Sequence, residues 1–417
     1  MTQVWIEKIA LRAKRASVQL ALLKTTVKNR ALTAMAAALQ KNQAQILEAN
    51  ERDLAFARKK GLSSSLISRL TLNKEKLETM AFSLGLISKL PDPVGRIISQ
   101  TRRPNGLVIK KVSVPIGAIL IIYESRPNVT ADCMALCLKS GNSVILKGGS
   151  EALHSNQAIF SILNKAALRA GVPSGAFEIV GAAGRMGVKR LLQMSDHIQL
   201  VIPRGGEALI REIARISKIP VIKHAKGVCH VFLDKKADFK KSEAIVLNAK
   251  TQNPGVCNAM ETLLVHEAVA DQFLPKIGLA LRKKGVEIRG DAKTLQRVPG
   301  SKKASEKDWH EEYLDLVLSV RVVKGLEEAV AHIRQYGSGH SDAIVTEDPK
   351  AAAEFAQAVD SACVFLNCST RFNDGGEFGM GAEMGISTGK LHARGPMGLE
   401  ELTSYKYVVS GNGQVRK

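Results

Sequence analysis

From residue 114 to about 222 short apolar runs alternate with helical stretches, and this alternation decides the fold class. The apolar runs lie at 116–122, 143–146, 177–180, 197–202 and 220–222, and the helical stretches at 129–139, 155–170, 185–194 and 207–217. Runs of strand length that are apolar throughout predict strands covered on both faces. A strand–helix–strand succession predicts that those strands run parallel. After a turn at 223–227 the pattern begins again, with strands at 228–233, 262–265, 317–323, 343–345 and 363–366 and helices at 242–250 and 269–284. Two parallel-sheet α/β domains follow. Such sheets commonly hold nucleotides, although architecture alone does not establish that use.

The flanks differ. Residues 2–90 read as helices, with Ile9, Leu20, Leu23, Val27, Leu32, Met35 and Leu39 at helical spacing and Ser63 to Ser65 as a helix start before Leu66. Pro91 and Pro93 end that region. Apolar stretches at 97–98 and 107–114 then flank Pro104-Asn105-Gly106, a hairpin signal. The hairpin either folds back on its own domain or pairs its edge with another subunit. A strand at 405–409 closes the chain.

Composition removes several function classes. A chain of 417 residues exceeds one ordinary core. Its net charge is +21, but the basic residues are spread and the clusters are short, as in Arg58-Lys59-Lys60 and Arg282-Lys283-Lys284. With aromatics at only 4%, this argues against nucleic acid and leaves steering of small anions or a plain basic surface. No apolar run approaches the roughly 20 residues of a membrane helix. The charged N-terminus (Glu7, Lys8, Arg12, Lys14, Arg15) is no secretory signal. Six cysteines without a C-x-x-C pair suit a reducing compartment, the cytoplasm. Cys133 and Cys137 share an apolar helix and read as core, while His224 and His230 flank Cys229 too loosely for zinc, so no metal site is expected.

Three places carry chemistry. Cys257 follows Pro254 and Gly255 in a turn and precedes an apolar strand, a place for an acyl-transfer nucleophile; a buried core thiol is the plainer alternative. Lys147, Gly148 and Gly149 follow the strand at 143–146, and Arg204, Gly205 and Gly206 follow the strand that ends near Pro203. Cations and small residues at the carboxyl ends of parallel strands can meet ribose and phosphate, or can be ordinary connections. A Walker loop is absent, and the glycines at 181, 184 and 187 and at 379, 381 and 385 match a dinucleotide fingerprint only in part.

The blocks YESRPNVT (123–130), IPRGG (202–206), VIKHAKGVCH (221–230), KTQNPGVCN (250–258), STRFNDGGEFGMGAEMG (369–385) and LHARGPMGLEELTSYK (391–406) occur in this order. Together they resemble the γ-glutamyl phosphate reductases, or glutamate-5-semialdehyde dehydrogenases, a family within the aldehyde dehydrogenase superfamily. The match runs from about residue 5 to the C-terminus. Asn253 stands where the family pattern has arginine.

The resemblance implies an aldehyde dehydrogenase-like α/β fold: two parallel-sheet domains plus a small β oligomerisation element. Residues 1–96 and 115–226 would form the NADP-binding domain, 227–390 the catalytic domain, and 97–114 with 391–417 the oligomerisation hairpin and C-terminal strand. It implies the second step of proline biosynthesis from glutamate, in which L-glutamyl 5-phosphate is reduced with NADPH to L-glutamate 5-semialdehyde and phosphate. A homo-oligomer and a contact with glutamate 5-kinase are further expectations.

Cys257 would take the acyl group as a thioester, and its backbone N–H and Asn128 would donate to the oxyanion, where each donor is typically worth roughly 100- to 1000-fold in rate. Lys147 would lie near the adenosine ribose and Glu312 near the nicotinamide ribose, with a helix-surface ion pair as the other reading of Glu312. Arg371 and Arg394 would hold substrate carboxylate or phosphate, or form structural salt bridges, and Lys223 and His224 would attract phosphate or sit in a solvated turn. Aldehyde-oxidising relatives carry a glutamate in the turn between the domains; residues 221–227 contain no carboxylate, as suits an enzyme that must not hydrolyse its thioester. A coenzyme A-acylating aldehyde dehydrogenase would share the fold and the cysteine, and a basic binding protein without catalysis is a third class.

Overall fold

The computed structural model describes residues 3–181, 184–222 and 226–416. The chain forms two compact units, Met1–Lys223 with Gly379–Gly385 and Met397–Lys417, and His224–Phe378 with Ile386–Pro396.

The first unit opens with five helices, α1 (Gln3–Leu20), α2 (Thr25–Lys41), α3 (Gln43–Lys59), α4 (Ser64–Leu70) and α5 (Lys74–Lys89). The Ser63 hydroxyl accepts Leu66 N–H at the start of α4, as the serine run predicts. Then come β1 (Ile97–Arg102), β2 (Val108–Pro115), β3 (Ala118–Tyr123), α6 (Asn128–Lys139), β4 (Ser143–Gly148), α7 (Leu153–Arg169), β5 (Phe177–Ile179), α8 (Gly184–Leu191), β6 (Leu200–Arg204) and α9 (Glu207–Ile216). Strands β5, β4, β3 and β6 form a parallel sheet in that order. Every residue of β3 is buried, the signature of a strand covered on both faces. Ile6, Ile9, Ala10 and Ala13 of α1 pack on one face with Leu120, Ile122 and Ile145.

The second unit continues with β7 (Cys229–Leu233), α10 (Phe239–Thr251), β8 (Met260–His266), α11 (Glu267–Lys283), β9 (Glu287–Gly290), α12 (Ala292–Arg297), β10 (Lys302–Lys303), α13 (Glu306–Trp309), β11 (Val317–Val323), α14 (Leu326–Tyr336), β12 (Ser341–Val345), α15 (Pro349–Ala358) and β13 (Cys363–Leu366). Its seven strands run parallel in the order β10-β9-β11-β8-β7-β12-β13. A short antiparallel pair, β14 (Ile386–Ser387) with β15 (Gly395–Pro396), lies outside that sheet.

The Pro104-Asn105-Gly106 hairpin forms as read, with β1 antiparallel to β2. The last strand, β16 (Thr403–Ser410), joins the other side of β2. β1 is exposed throughout, and β16 is exposed from Ser404 onward. Two strand readings change. The run at 197–202 begins its strand only at Leu200, and 220–222 makes no strand. Pro220 has no N–H to give a ladder, and the segment reaches the sheet through one bridge, Val221 to Val201. Among the described residues no helix is long and apolar enough to cross a membrane.

Helix α7 shows how the helical layer is tied to the first unit. Its N-cap, Ala152, offers no side-chain acceptor. Asp53 of α3, 2% exposed, supplies one instead, accepting His154 N–H at 3.1 Å, Ser155 N–H at 2.8 Å and the Ser155 hydroxyl at 2.6 Å. A carboxylate at a helix N-terminus answers both the unpaired donors and the helix dipole. Asp53→Ala removes that acceptor and leaves buried donors, so the unfolding free energy of this unit in urea should fall by about 2–3 kcal/mol. A change below about 0.5 kcal/mol would contradict the capping role.

Candidate active site

In the second unit α10 ends at Thr251 and β8 begins at Met260, and Cys257 occupies the turn between them, partly exposed with a free thiol. Neighbouring chain fixes this turn. The Asn258 side chain, 4% exposed, donates to Asn373 O at 2.9 Å, and the Asn258 carbonyl accepts the Thr370 hydroxyl at 2.8 Å. Arg371 donates to the Asn258 amide oxygen, and its Nε donates to Gln252 Oε1 at 2.8 Å. One guanidinium thus brackets the turn on both sides of Cys257. Burial pulls the Arg371 pKa down, and nearby Asp374, Cys257 and Cys229 oppose that pull. The buried Cys229 thiol donates to Cys257 O at 3.1 Å, and burial pushes that thiol well up, so it stays protonated.

Gly227 lies against the same turn. A Cβ at this position would stand 1.9 Å from Cys257 O, a separation no side chain can adopt. Its N–H donates to Glu312 Oε1 at 2.9 Å. Glu312 belongs to the loop between α13 and β11, so the helix-surface reading does not apply. These residues share a place in the fold. Gly227 precedes β7, Cys257 precedes β8 and Glu312 precedes β11. Ser338, whose hydroxyl accepts Val228 N–H at 3.0 Å, precedes β12. The cluster therefore lies at the amino ends of the parallel strands, where backbone N–H donors emerge.

The first unit uses the opposite ends. β4 runs into Lys147 and Gly148, with Gly149 after it; β6 ends at Arg204, before Gly205 and Gly206; β3 ends at Tyr123. Glu124 Oε2 accepts Gly206 N–H at 3.0 Å, and Glu124 N–H donates to Arg204 O at 3.1 Å. Ser125 holds a left-handed backbone (φ +38°) and gives both its N–H and its hydroxyl to Glu151 Oε1, at 2.7 and 2.8 Å. Gly385, with φ +131°, passes under Arg204, where a Cβ would lie 2.2 Å from the guanidinium. The Lys147 ammonium donates to Gly148 O, and burial lowers its pKa. The order of strand addition reverses between β3 and β6, the switch point of a doubly wound sheet. Cations and glycine backbone at the carboxyl ends of strands beside such a point fit an anionic dinucleotide.

Asn128 is the first residue of α6, exposed, and donates Nδ2 to Asp132 Oδ2 at 3.1 Å. Burial pushes the Asp132 carboxyl up to about 6; the Asn128 bond and Arg204 pull against it, and Glu383 adds to it. Arg394 is engaged by Asp360, with Nη1 donating to Oδ1 at 2.8 Å and Nη2 to the carbonyl at 2.8 Å. Asn253 is exposed. Lys223 and His224 lie outside the described residues. Sequence reasoning missed Gly227, Asn258 as an anchor, and Asp132. For Gly227 the available signal was a glycine directly before an apolar strand; for the other two there was none beyond residue type.

The profile described as Aldehyde dehydrogenase family matches residues 1–295 and 301–408. A γ-glutamyl phosphate reductase of Thermoanaerobacter sp. (strain X514) is 54% identical over 412 residues, covering 99% of this chain and 100% of its own. The crystal structure of γ-glutamyl phosphate reductase from Thermotoga maritima superposes with a TM-score of 0.95 at 46% identity, over 99% of this chain and 100% of that one. An acetylating aldehyde dehydrogenase from Geobacillus thermoglucosidasius has a TM-score of 0.72 at 17% identity, over 99% of this chain and 97% of that one, a likeness of fold.

Gly227→Ala must displace backbone, since the clash is with Cys257 O. The rate of Cys257 alkylation by iodoacetamide should change by about 10-fold or more, because a shift of about 1 Å suffices to misplace a reacting group. Gly85→Ala, where a Cβ meets nothing within 4 Å, serves as the control that keeps the rate. Equal rates in both variants would show that the turn tolerates the methyl group.

Proposed function

The chain belongs to the aldehyde dehydrogenase family, among the γ-glutamyl phosphate reductases, and we propose how its residues reduce L-glutamyl 5-phosphate to L-glutamate 5-semialdehyde and phosphate, the second step of proline biosynthesis from glutamate. The observation that carries the mechanism is the partly exposed Cys257 thiol in a turn held by Arg371, Asn258 and Gly227.

Cys257, as thiolate, attacks the acyl carbon. The carbon–oxygen bond to phosphate breaks, phosphate leaves, and a thioester remains on Cys257. The Arg371 guanidinium beside the turn offers its positive charge to the anionic phosphoryl group. The Cys257 N–H and the Asn128 amide are the oxyanion donors, and Asp132 orients that amide by accepting one of its protons. NADPH, when bound, supplies the hydride that converts the thioester to the aldehyde. Cys257 Sγ leaves as thiolate at that stage and is ready for another turnover. Lys147, the glycines at 148, 149, 205 and 206, and Arg204 would hold the adenosine and phosphate part of the cofactor, and Glu312 the nicotinamide ribose.

The six cysteines are free thiols, which suits the cytoplasm. The three-stranded sheet supports assembly with a second copy. β1 and β16 are its edges, and Ile97, Ile98, Tyr405, Tyr407 and Val409 are exposed at 51%, 47%, 49%, 62% and 55%. Unpaired strand edges bearing large apolar side chains favour pairing between chains.

Run in reverse, oxidation of glutamate 5-semialdehyde should require inorganic phosphate, with NADP and NAD compared in parallel. Cys257→Ser should lower the rate by about 1000-fold or more. A requirement for coenzyme A in place of phosphate would overturn the substrate, and an unaffected Cys257→Ser variant the nucleophile. For assembly, light scattering should find a mass at a multiple of 45.0 kDa, reduced by the pair Tyr407→Lys and Val409→Lys. A 45.0 kDa species for the unmodified protein would refute the interface.

A further inference from the structure

Lys250 and Glu261 form an ion pair of 2.6 Å, with both side chains at 0% exposure. They stand at the two ends of the Cys257 turn, Lys250 in the last turn of α10 and Glu261 as the second residue of β8. A buried ion pair does not by itself favour the fold, since a well-packed apolar pair often serves stability as well or better. The geometry gives this one a different use. Glu261 Oε2 meets Lys250, while Oε1 accepts Leu314 N–H at 3.2 Å. Leu314 holds a left-handed backbone, φ +53°, which a branched residue keeps only when its surroundings impose it. Tyr313, next to it, lies under the Lys250 ammonium at 5.9 Å and the Arg289 guanidinium at 5.2 Å, and its hydroxyl bonds Asp308 Oδ1 at 2.9 Å. Glu312, one residue further back, receives Gly227 N–H, and Gly227 abuts Cys257 O. The contacts close a ring from the Cys257 turn through Lys250, Glu261, Leu314, Glu312 and Gly227 back to Cys257.

We propose that the Lys250–Glu261 pair is a positioning element that fixes both ends of the nucleophile turn and, through Leu314 N–H, the stance of Glu312. This rests on the reading of Cys257 as nucleophile and Glu312 as a cofactor contact. An apolar pair could fill the same volume, but it offers no second oxygen for Leu314 and so leaves the Glu312 loop untied. The titratable groups facing the pair are Glu312 on the Glu261 side and Asp315 and the protonated Cys229 thiol on the Lys250 side. Burial pushes Glu261 up, to about 7, and Lys250 down, and the attraction and hydrogen bond between the two oppose both shifts.

The test compares Glu261→Gln with the double variant Lys250→Met/Glu261→Leu in the full chain. Thermal unfolding, the Cys257 alkylation rate without cofactor, and the Kd for NADPH are measured for each. Glutamine keeps an oxygen for Leu314 N–H, so Glu261→Gln should hold NADPH affinity within about 3-fold. The double variant should unfold near the temperature of the unmodified protein, yet bind NADPH about 10-fold more weakly and alkylate at a rate changed about 10-fold, as expected for a misplaced loop. A folded double variant with unmodified alkylation and NADPH affinity overturns the proposal, as does a loss that tracks the unfolding temperature in both variants. If the double variant does not fold, Lys250→Gln is read by the same alkylation and binding measurements, and unchanged values again overturn the proposal. Alkylation needs neither substrate nor cofactor. A failed phosphate-dependent assay on the unmodified protein would therefore sink the functional reading without deciding this one.

Discussion

The constraint that everything else depends on is the burial of parallel strands on both faces. Strands such as β3 and β7, with every residue buried, leave no sheet face for chemistry, so polar function is confined to the strand ends. The two units answer this differently. The first places Lys147, Glu124 and Arg204 at carboxyl ends, where open α/β sheets usually receive ligands. The second places Gly227, Cys257 and Glu312 at amino ends. Amino ends of parallel strands present backbone N–H groups, and Ser338, Glu312 and Glu261 accept those of Val228, Gly227 and Leu314. A thiolate and an oxyanion also need donors, so the choice of end suits acyl transfer in a way the carbonyl-rich end would not.

Most of the architecture was legible because periodicity reports burial directly. The strands at 317–323 and 363–366 form with the residues read from their apolar runs, and the Asn-Gly hairpin forms at its signal. Failures came where a local rule competed with the run. Pro220 ends a ladder that hydrophobicity alone would extend. The short elements β9, β10 and α12 carry too few residues for a period to show.

The site was legible in its chemistry and hidden in its connections. Cys257 lies on a turn before a strand because Pro254 and Gly255 shape the approach and the apolar run anchors the exit, all local signals. That Arg371 would bracket this turn, and that Arg394 would be engaged by Asp360, depends on contacts between residues more than 30 positions apart. Residue type cannot separate two arginines that are equally able to hold an anion. The same holds for Lys250 and Glu261: in sequence they are a lysine on a helix and a glutamate in an apolar strand, and only packing shows that each is wholly enclosed by the other's surroundings.

The missing carboxylate in the turn at 221–227 also gains a physical reading. Gly227 cannot carry a side chain, because a Cβ there would stand 1.9 Å from Cys257 O. The carboxylate that does approach, Glu312, accepts the Gly227 N–H at 2.9 Å. Glu261 is likewise held, by Lys250 and Leu314. Hydrolysis of a thioester needs a base that can reach a water molecule and take its proton. Here Glu312 Oε1 and both oxygens of Glu261 are engaged by backbone N–H groups and the Lys250 ammonium, and the Glu261 side chain is fully enclosed. The full enclosure of Glu261 thus denies a water molecule the access that base-assisted hydrolysis of a thioester requires.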